Sequence, residues 1–173
     1  LDTSASMQRK GLWEKTLEQA QDSLKELEPA DSLAILSFDS QTTSLMQFYQ
    51  WEELPEPNRI PAAVETLKAA KPGWGGSHMG NAILTAAELL VENEHLGPSR
   101  IVLVTDRQEG IQLEGLQGHE WPEDIQLTLK TVEPETAGNA GMQLKPLQEM
   151  KDSVTHSIRL TNSEDSSNEE FRL

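Results

Sequence analysis

Two short apolar runs constrain the fold of this chain more than any other feature of its sequence. Residues 32–38 (SLAILSF) and residues 100–105 (RIVLVT) are rich in large apolar side chains, and turn-forming residues bound both runs. Runs of this length and composition are typical of strands that are buried on both faces. Such strands occur mainly in parallel sheets that are covered by helices, so the two runs predict a layered domain.

The segments between these runs carry helical periodicity. Apolar side chains recur every three or four residues across residues 9–28, 60–70 and 77–94, which predicts three amphipathic helices. The remaining predicted elements are strands at residues 43–51 and 124–132, a loop at residues 54–58 and a helical turn at residues 113–116. This alternation of helices and strands predicts an α/β fold with a doubly wound, mostly parallel sheet.

The composition of the chain changes near its last forty residues. We therefore predict an α/β domain over residues 1–133, followed by a linker and a partial β-sandwich-like segment over residues 134–173. In that segment residues 138–141 (GNAG) are predicted to form a turn or linker, and residues 142–147 and 153–161 two strands. A loosely ordered tail is the alternative interpretation.

The charge and cysteine content exclude several classes of function. The chain carries 29 acidic and 14 basic residues, a formal net charge of −15, so its surface repels phosphate backbones and we expect no nucleic-acid partner. The absence of cysteine excludes disulfide frameworks, thiolate zinc sites and cysteine nucleophiles. No segment has the long uncharged apolar run that a membrane span requires.

Three short polar stretches lie where loops follow strands or enter helices. They are residues 2–6 (DTSAS), the glycine-rich turn before Ser77, and Asp106 at the end of the apolar run RIVLVT. In an open parallel sheet, such loops gather along one edge. Together they offer two carboxylates and three hydroxyls. This set of oxygen donors suits Mg²⁺, Mn²⁺ or Ca²⁺ and is poorly suited to zinc or copper.

The three stretches together resemble the metal-ion-dependent adhesion site of von Willebrand factor A domains. Asp2, Ser4 and Ser6 match the motif Asp-x-Ser-x-Ser, Ser77 matches the threonine of a Gly-Gly-Thr-x-x-Gly-x-Ala loop, and Asp106 matches an aspartate at a strand end. The resemblance implies a Rossmann-like fold in which these five residues hold Mg²⁺, or else Mn²⁺ or Ca²⁺. It also implies that a glutamate or aspartate of a protein partner completes the coordination of the ion.

A narrower resemblance concerns the parent protein. The stretches RIVLVTDRQEG and HEWPEDIQL are similar to those of bacterial, membrane-anchored proteins of the aerotolerance (BatA-like) group. In that group an extracellular-type β-sandwich follows the A domain. This implies an immunoglobulin-like fold after residue 134, and an extracytoplasmic or membrane-associated location within a longer bacterial protein.

Three positions depart from the family pattern. Arg107 stands where the family usually has glycine, Ser77 replaces threonine, and only Leu1 remains of the apolar strand that precedes Asp2 in the family. In the family's fold that strand lies between residues 32–38 and 100–105. We therefore expect the 173 residues to be a fragment that lacks most of its first strand and does not fold stably by itself.

Each motif also has a purely structural interpretation. Ser4, Ser6 and Ser77 each precede a predicted helix, where a serine hydroxyl can act as an N-cap. Asp106 follows a strand, where it can simply form a turn. The metal-site interpretation depends on the three motifs occurring together and in the family's order.

Three residues near these motifs are candidate partner contacts. Trp74 lies beside the glycine turn, and tryptophan is enriched at binding hot spots, although it can instead pack on the sheet edge. His78 and Arg107 are the other two candidates. For His78, the alternative is a solvated loop histidine.

Three functions are consistent with these features. The first is a cation-dependent protein-binding module without enzymatic activity. The second is a scaffold domain with a weakened or lost metal site, which Ser77 and Arg107 leave open. The third is a metal-assisted hydrolase. The sequence disfavours it because no cluster of lysine and arginine marks a phosphate clamp, and Met79 stands where a Gly-x-Ser-x-Gly elbow needs glycine.

Overall fold

The chain forms two compact units, Leu1–Pro134 and Glu135–Leu173. The computed structural model describes residues 1–93, 98–106, 116, 118 and 120–134, together with the backbone of residues 140–146 and 156–162.

The first unit alternates strands and helices, as predicted. Within its described residues the strands are β1 (Ile35–Phe38), β2 (Thr42–Met46), β3 (Ser99–Thr105) and β4 (Ile125–Thr131). The α-helices are α1 (Leu12–Leu24), α2 (Phe48–Glu52), α3 (Glu56–Ala69) and α4 (Met79–Glu92), and a 3-10 turn spans Ala5–Gln8.

The amino-terminal residues join the two strand pairs of this unit. Leu1 and Thr3 both form hydrogen bonds with Phe38 of β1. The N–H of Phe38 donates to the C=O of Leu1 at 3.0 Å, and the N–H of Thr3 donates to the C=O of Phe38 at 2.8 Å. Asp2 bonds to β3, through its N–H to the C=O of Val104 at 3.0 Å. The segment therefore lies between β1 and β3, in the position that the resemblance implies for the end of the first strand.

The strand directions are mixed. β3 and β4 pair in parallel over seven residues, and Asp2 forms a parallel bridge with Phe38. β2 instead pairs antiparallel with β1, so one edge pair departs from the predicted parallel direction. The physical reason is the short connection, residues 39–41, because only antiparallel strands can be joined by so tight a turn.

Helices cover both faces of the strands. Val104, with Val102 packed beside it, joins the apolar cluster of α1 and α3, whereas Leu103 packs with Met79 and Ile83 of α4. Neighbouring residues of a strand point to opposite faces, so α1 and α3 lie on one face and α4 lies on the other. The first unit is therefore a helix–strand–helix layered domain, and the predicted α/β fold class is confirmed.

Two local predictions are wrong. The strand predicted over residues 43–51 ends at Met46, and the rest forms α2, because Gln47 and Gln50 make a reciprocal capping box and Phe48 and Trp51 are buried on one side. The loop predicted over residues 54–58 is instead the start of α3, which begins at Glu56. Pro55 is the N-cap of α3 and Pro57 lies in its first turn, where a missing backbone N–H costs nothing.

A cavity of about 420 Å³ opens beneath Leu1. Apolar side chains of α1, β1, α4 and β3 line it, among them Leu24, Leu36, Ile83 and Val102. The amino group of Leu1 lies at its end, where it donates to the C=O of Leu36 at 2.8 Å. Burial lowers the pKa of this amino group from 8.0 to about 6, and the nearby carboxylate of Asp2 opposes that shift.

The second unit contains an antiparallel strand pair. β5 (Ala140–Pro146) pairs with β6 (His156–Asn162) in a continuous register, so the two predicted strands are present with shifted bounds. Ala140 and Gly141 belong to β5 and not to a linker, since both pair with β6. The remaining residues of the predicted turn and strands, 138–139, 147 and 153–155, lie outside the described residues, as does most of the helical turn predicted at residues 113–116. The immunoglobulin-like fold of this unit stays a prediction.

None of the helices in the described part of the chain is both long enough and apolar enough to cross a bilayer.

Candidate metal centre

The carboxylate of Asp2 is the centre of the candidate site. Asp2 is 0% exposed, and it is held in place by the backbone bonds that fix Leu1–Thr3 between β1 and β3. One carboxylate oxygen, Oδ1, accepts the N–H of Ser4 at 2.9 Å. The other, Oδ2, accepts the hydroxyls of Thr105 at 2.7 Å and Ser77 at 3.2 Å. Three separate loops thus converge on one buried carboxylate.

The two serines of the first motif lie close to each other. The hydroxyls of Ser4 and Ser6 are 3.1 Å apart, and Ser4 is buried. Ser4 is the N-cap residue of the 3-10 turn Ala5–Gln8, but its hydroxyl makes no capping hydrogen bond. The capping interpretation of Ser4 is therefore wrong, and its hydroxyl stays beside the Asp2 loop.

The loop that carries Ser77 is attached to the first motif through its backbone. Gly73 N–H donates to the C=O of Thr3 at 2.7 Å, and Ala5 N–H donates to the C=O of Gly75 at 2.9 Å. α4 begins only at Met79, with His78 as its N-cap, so Ser77 does not cap this helix. The helix predicted from residue 77 starts two residues later, because the loop bonds hold Ser77 towards Asp2.

The third motif extends from β3. Thr105 is the last residue of β3, is fully buried, and donates its hydroxyl to Asp2. Asp106 follows it directly, and one of its carboxylate oxygens, Oδ2, is shielded from solvent. Asp106 is therefore the next residue in the chain after one that contacts Asp2.

The electrostatics of this cluster favour a cation. A buried carboxylate loses its hydration, and neutral hydroxyl and amide donors replace only part of it. Among the residues that the structure describes, no lysine or arginine side chain forms an ion pair with Asp2.

The donor chemistry fits a hard divalent ion. The side-chain oxygens brought together are those of the Asp2 carboxylate and of serine hydroxyls, and Mg²⁺, Mn²⁺ and Ca²⁺ prefer oxygen ligands of this kind. Within the described ranges no group of three or more histidine, cysteine, aspartate or glutamate side chains forms a metal site, so serine hydroxyls would have to supply part of the ligand set.

The three candidate partner contacts are placed differently. Trp74 is 86% exposed and does not pack on the sheet edge. His78 is half-buried, and its backbone N–H donates to the C=O of Asp39 at 2.9 Å. Arg107 lies outside the described residues.

Sequence reasoning missed two residues of this region. Thr105 lies within the run RIVLVT and is not among the predicted site residues, although its hydroxyl makes the shortest hydrogen bond to Asp2. Asp39 directly follows β1, accepts the backbone N–H of Gln41 at 2.9 Å, and lies against the glycine loop. For Asp39 the signal was a polar residue immediately after an apolar run, whereas Thr105 ends such a run and carries no separate signal.

The comparisons with known proteins give a family and a fold. The sequence profile described as von Willebrand factor type A domain matches residues 1–109. No curated protein sequence matches the chain.

Among solved structures, the chain is similar to a conserved hypothetical protein, BatB, from Bacteroides thetaiotaomicron. The TM-score is 0.56 and the sequences are 17% identical, with 92% of this chain and 76% of that one covered. At this identity the likeness shows the fold alone.

Proposed function

Since the chain belongs to the von Willebrand factor type A family, we propose that it is a protein-binding module whose binding depends on a divalent cation held at Asp2. Domains of this family are generally interaction modules and not enzymes. Membership therefore supports an adhesion-type function at a coarse level. The metal dependence and the partner's chemistry are the parts that this proposal adds.

The observation that carries the proposal is the surroundings of Asp2. A fully buried carboxylate is met by donors from three loops, and none of the described lysine or arginine side chains neutralises it. A divalent cation would supply the missing positive charge. The hydroxyls of Ser4, Ser6 and Ser77 would bind it, with Asp2 and Asp106 bound directly or through waters.

The partner follows from the charge of such an ion. Hard divalent ions prefer oxygen ligands, and an ion bound mostly by neutral hydroxyls keeps a net positive charge. A glutamate or aspartate side chain of a protein partner supplies an anionic oxygen for one remaining position. Mg²⁺ is the proposed ion, with Mn²⁺ or Ca²⁺ as substitutes.

Calorimetric titration with Mg²⁺ and Mn²⁺ tests the proposal. We expect one saturable site in the parent, a strong loss of affinity in Asp2→Asn and Asp106→Ala, and a smaller loss in Ser77→Ala. Asp22→Asn and Ser44→Ala are matched controls, because Asp22 is partly exposed on α1 and Ser44 is exposed on β2.

Thermal melts give a second readout of the same site. An ion that binds only the folded state raises the melting temperature, and EDTA reverses the effect. If the parent binds no cation, or if Asp2→Asn binds as tightly as the parent, the proposed site is wrong. The scaffold alternative would then be preferred.

A further inference from the structure

The turn between β1 and β2 lies against the glycine loop that leads to Ser77. This turn, residues 39–41, begins with Asp39, which directly follows β1 and is half-buried. The carboxylate oxygen Oδ1 of Asp39 accepts the backbone N–H of Gln41 at 2.9 Å, and the hydroxyl of Ser40 donates to the same oxygen at 3.3 Å. The bond to Gln41 holds the Asp39 side chain in a fixed orientation within its own turn.

The other carboxylate oxygen of Asp39, Oδ2, packs on the backbone of the glycine loop. A Cβ atom on Gly73 would lie 3.1 Å from this oxygen, and a Cβ atom on Gly75 would lie 2.7 Å from it. Only glycine allows so close an approach of the carboxylate to the loop backbone at Gly75. The loop is therefore shaped to fit the Asp39 side chain at two positions.

The first motif holds the same two glycines through their peptide groups. The N–H of Gly73 donates to the C=O of Thr3 at 2.7 Å, and the C=O of Gly75 accepts the N–H of Ala5 at 2.9 Å. The two glycines thus join the first motif by hydrogen bonds and touch the Asp39 carboxylate as well. The loop has support both from the Asp2 segment and from the β1–β2 turn.

Asp39 also holds the residue that follows Ser77. Its backbone C=O accepts the backbone N–H of His78, the N-cap residue of α4, at 2.9 Å. Asp39 therefore contacts the chain on both sides of Ser77, at Gly75 before it and at His78 after it.

The hydroxyl between these two contacts is sensitive to the position of the loop. Ser77 donates to Oδ2 of Asp2 at 3.2 Å, a longer bond than those from Ser4 at 2.9 Å and Thr105 at 2.7 Å. An outward shift of the loop by about 0.5 Å takes this contact beyond hydrogen-bond distance.

We propose that Asp39 is a positioning residue of the cation site, which holds the glycine loop so that the Ser77 hydroxyl stays beside Asp2. This inference rests on the proposed cation-dependent function. It adds a residue outside the proposed ligand set, and it assigns the effect to the shape and hydrogen bonding of the side chain and not to its charge.

Two substitutions of Asp39 separate positioning from charge. Asp39→Ala and Asp39→Asn both remove the negative charge, but asparagine keeps an acceptor for Gln41 and a planar group against the glycines. We expect the full chain with Asp39→Ala to bind Mn²⁺ about tenfold more weakly than the chain with Asp39→Asn in calorimetric titrations. Equal Mn²⁺ affinities of the two variants would overturn the inference and leave the proposed function standing.

Asp31 provides the matched control. Its exposed carboxylate also accepts a backbone N–H within a turn, that of Glu28 at 2.8 Å. Asp31→Ala and Asp31→Asn should bind Mn²⁺ equally well. A tenfold difference between this pair as well would mean that the loss of any such turn bond weakens binding, and Asp39 would then have no specific role.

The route through Ser77 is tested in a Ser77→Ala background. Alanine and asparagine at position 39 should differ little in Mn²⁺ affinity there, because the hydroxyl that the loop positions is gone. If the full difference persists in this background, Asp39 acts by another route and the inference is wrong.

Hydrogen exchange without metal gives a readout that does not depend on the ion. The amides of Gly73 and Ala5, which join the loop to the first motif, should exchange faster in Asp39→Ala than in Asp39→Asn. The amide of Leu103 in β3 should exchange alike in both variants. Equal exchange at Gly73 and Ala5 would show that Asp39 does not hold the loop. If the parent binds no Mn²⁺, the proposed function fails and the inference fails with it.

Discussion

At the scale of single residues, Asp2 serves both the fold and the candidate metal centre. Its N–H bonds to Val104, and its carboxylate accepts bonds from Ser4, Ser77 and Thr105. The hydrogen bond from Thr105 is the shortest of these contacts, and Thr105 is itself buried. The orientation of the carboxylate towards the neighbouring loops therefore depends on a residue that is not among the proposed metal ligands.

Replacing Thr105 by valine tests this dependence. Thr105→Val keeps the shape of the side chain but removes the donor to Asp2, so we expect unfolding in EDTA to require about 1–3 kcal/mol less free energy. The affinity for Mg²⁺ should also fall several-fold. Chemical denaturation and calorimetry measure the two effects.

Thr105→Ser is the matched control for this prediction, because it keeps the hydroxyl and loses only a methyl group. It should retain most of the Mg²⁺ affinity. Equal losses of affinity in Thr105→Val and Thr105→Ser would show that the hydroxyl does not orient Asp2.

The sequence was informative about some of these residues and silent about others. Asp2, Ser4, Ser6 and Ser77 could be grouped because their spacing forms recognisable motifs. The structure links these four residues by hydrogen bonds, with Ser4 joined to Asp2 through its backbone N–H. Thr105 could not be singled out, because a β-branched threonine at the end of a strand is equally well explained by strand propensity.

At the scale of elements, the glycine loop between α3 and α4 holds Ser77 by close approach to the end of β1. A Cβ atom on Gly75 would lie 2.7 Å from the Asp39 carboxylate oxygen and 3.0 Å from the hydroxyl of Ser40. A Cβ on Gly76 would meet no atom within 4 Å. Glycine is therefore required at one of two adjacent positions for steric reasons.

Alanine substitutions at the two glycines should consequently behave differently. Gly75→Ala is expected to displace the loop from Asp39, lower the melting temperature and weaken cation binding several-fold. Gly76→Ala should leave the cation affinity unchanged. In an Asp39→Ala background the cost of Gly75→Ala should shrink, since the clashing carboxylate is gone. A cost that stays the same in that background would rule out the clash as the cause.

The cavity beneath Leu1 leads to a second prediction at this scale. Every second residue along a strand directs its backbone N–H and C=O groups to the same edge of that strand. The bonds to Leu1 and Asp2 show that Leu36 and Val104 face the cavity, and Val102 shares this edge with Val104. The N–H groups of Leu36 and Val102 are therefore expected to point into the cavity.

A strand placed in this cavity would pair with both edges. We propose that a chain extended by about six apolar, β-forming residues before Leu1, a typical strand length, melts at a higher temperature than the 173-residue chain. Hydrogen exchange should show new protection at the amides of Leu36, Val102 and Val104. The amides of Ile101 and Leu103 face β4 and should be protected in both chains.

An extension of equal length made of glycine and serine is the control, because it adds chain without apolar surface. It should leave the melting temperature and the exchange of Leu36 and Val102 unchanged. If the apolar extension also fails to protect these amides, the cavity does not accept a strand.

Element prediction from sequence succeeded where periodicity and length were distinctive, as in α1 and β3. It failed for α2, whose five residues are too few for a helical period to be visible, and whose aromatic residues also favour strands. The start of α4 was misplaced because Ser77 is a good N-cap residue, and only a distant contact with Asp2 shows its other use.

At the scale of the whole molecule, the layered fold could be predicted because buried strands alternate with amphipathic helices in the first unit. The family follows from the match to residues 1–109, and the fold is shared with BatB. The strand directions at the β2 edge could not be predicted from apolar pattern alone, since they depend on the length of one turn. The net charge of −15 likewise predicted no specific site, and the buried Asp2 became visible only from tertiary contacts.

The central claim is that loops around Asp2 hold a divalent cation, and the location of a bound ion tests it most directly. Crystals grown with Mn²⁺ should show one anomalous scattering peak within bonding distance of the Ser4, Ser6 and Ser77 hydroxyls. The same peak should be absent from crystals of Asp2→Asn grown under identical conditions. A peak at any other place, or no peak in the parent at saturating Mn²⁺, would contradict the account.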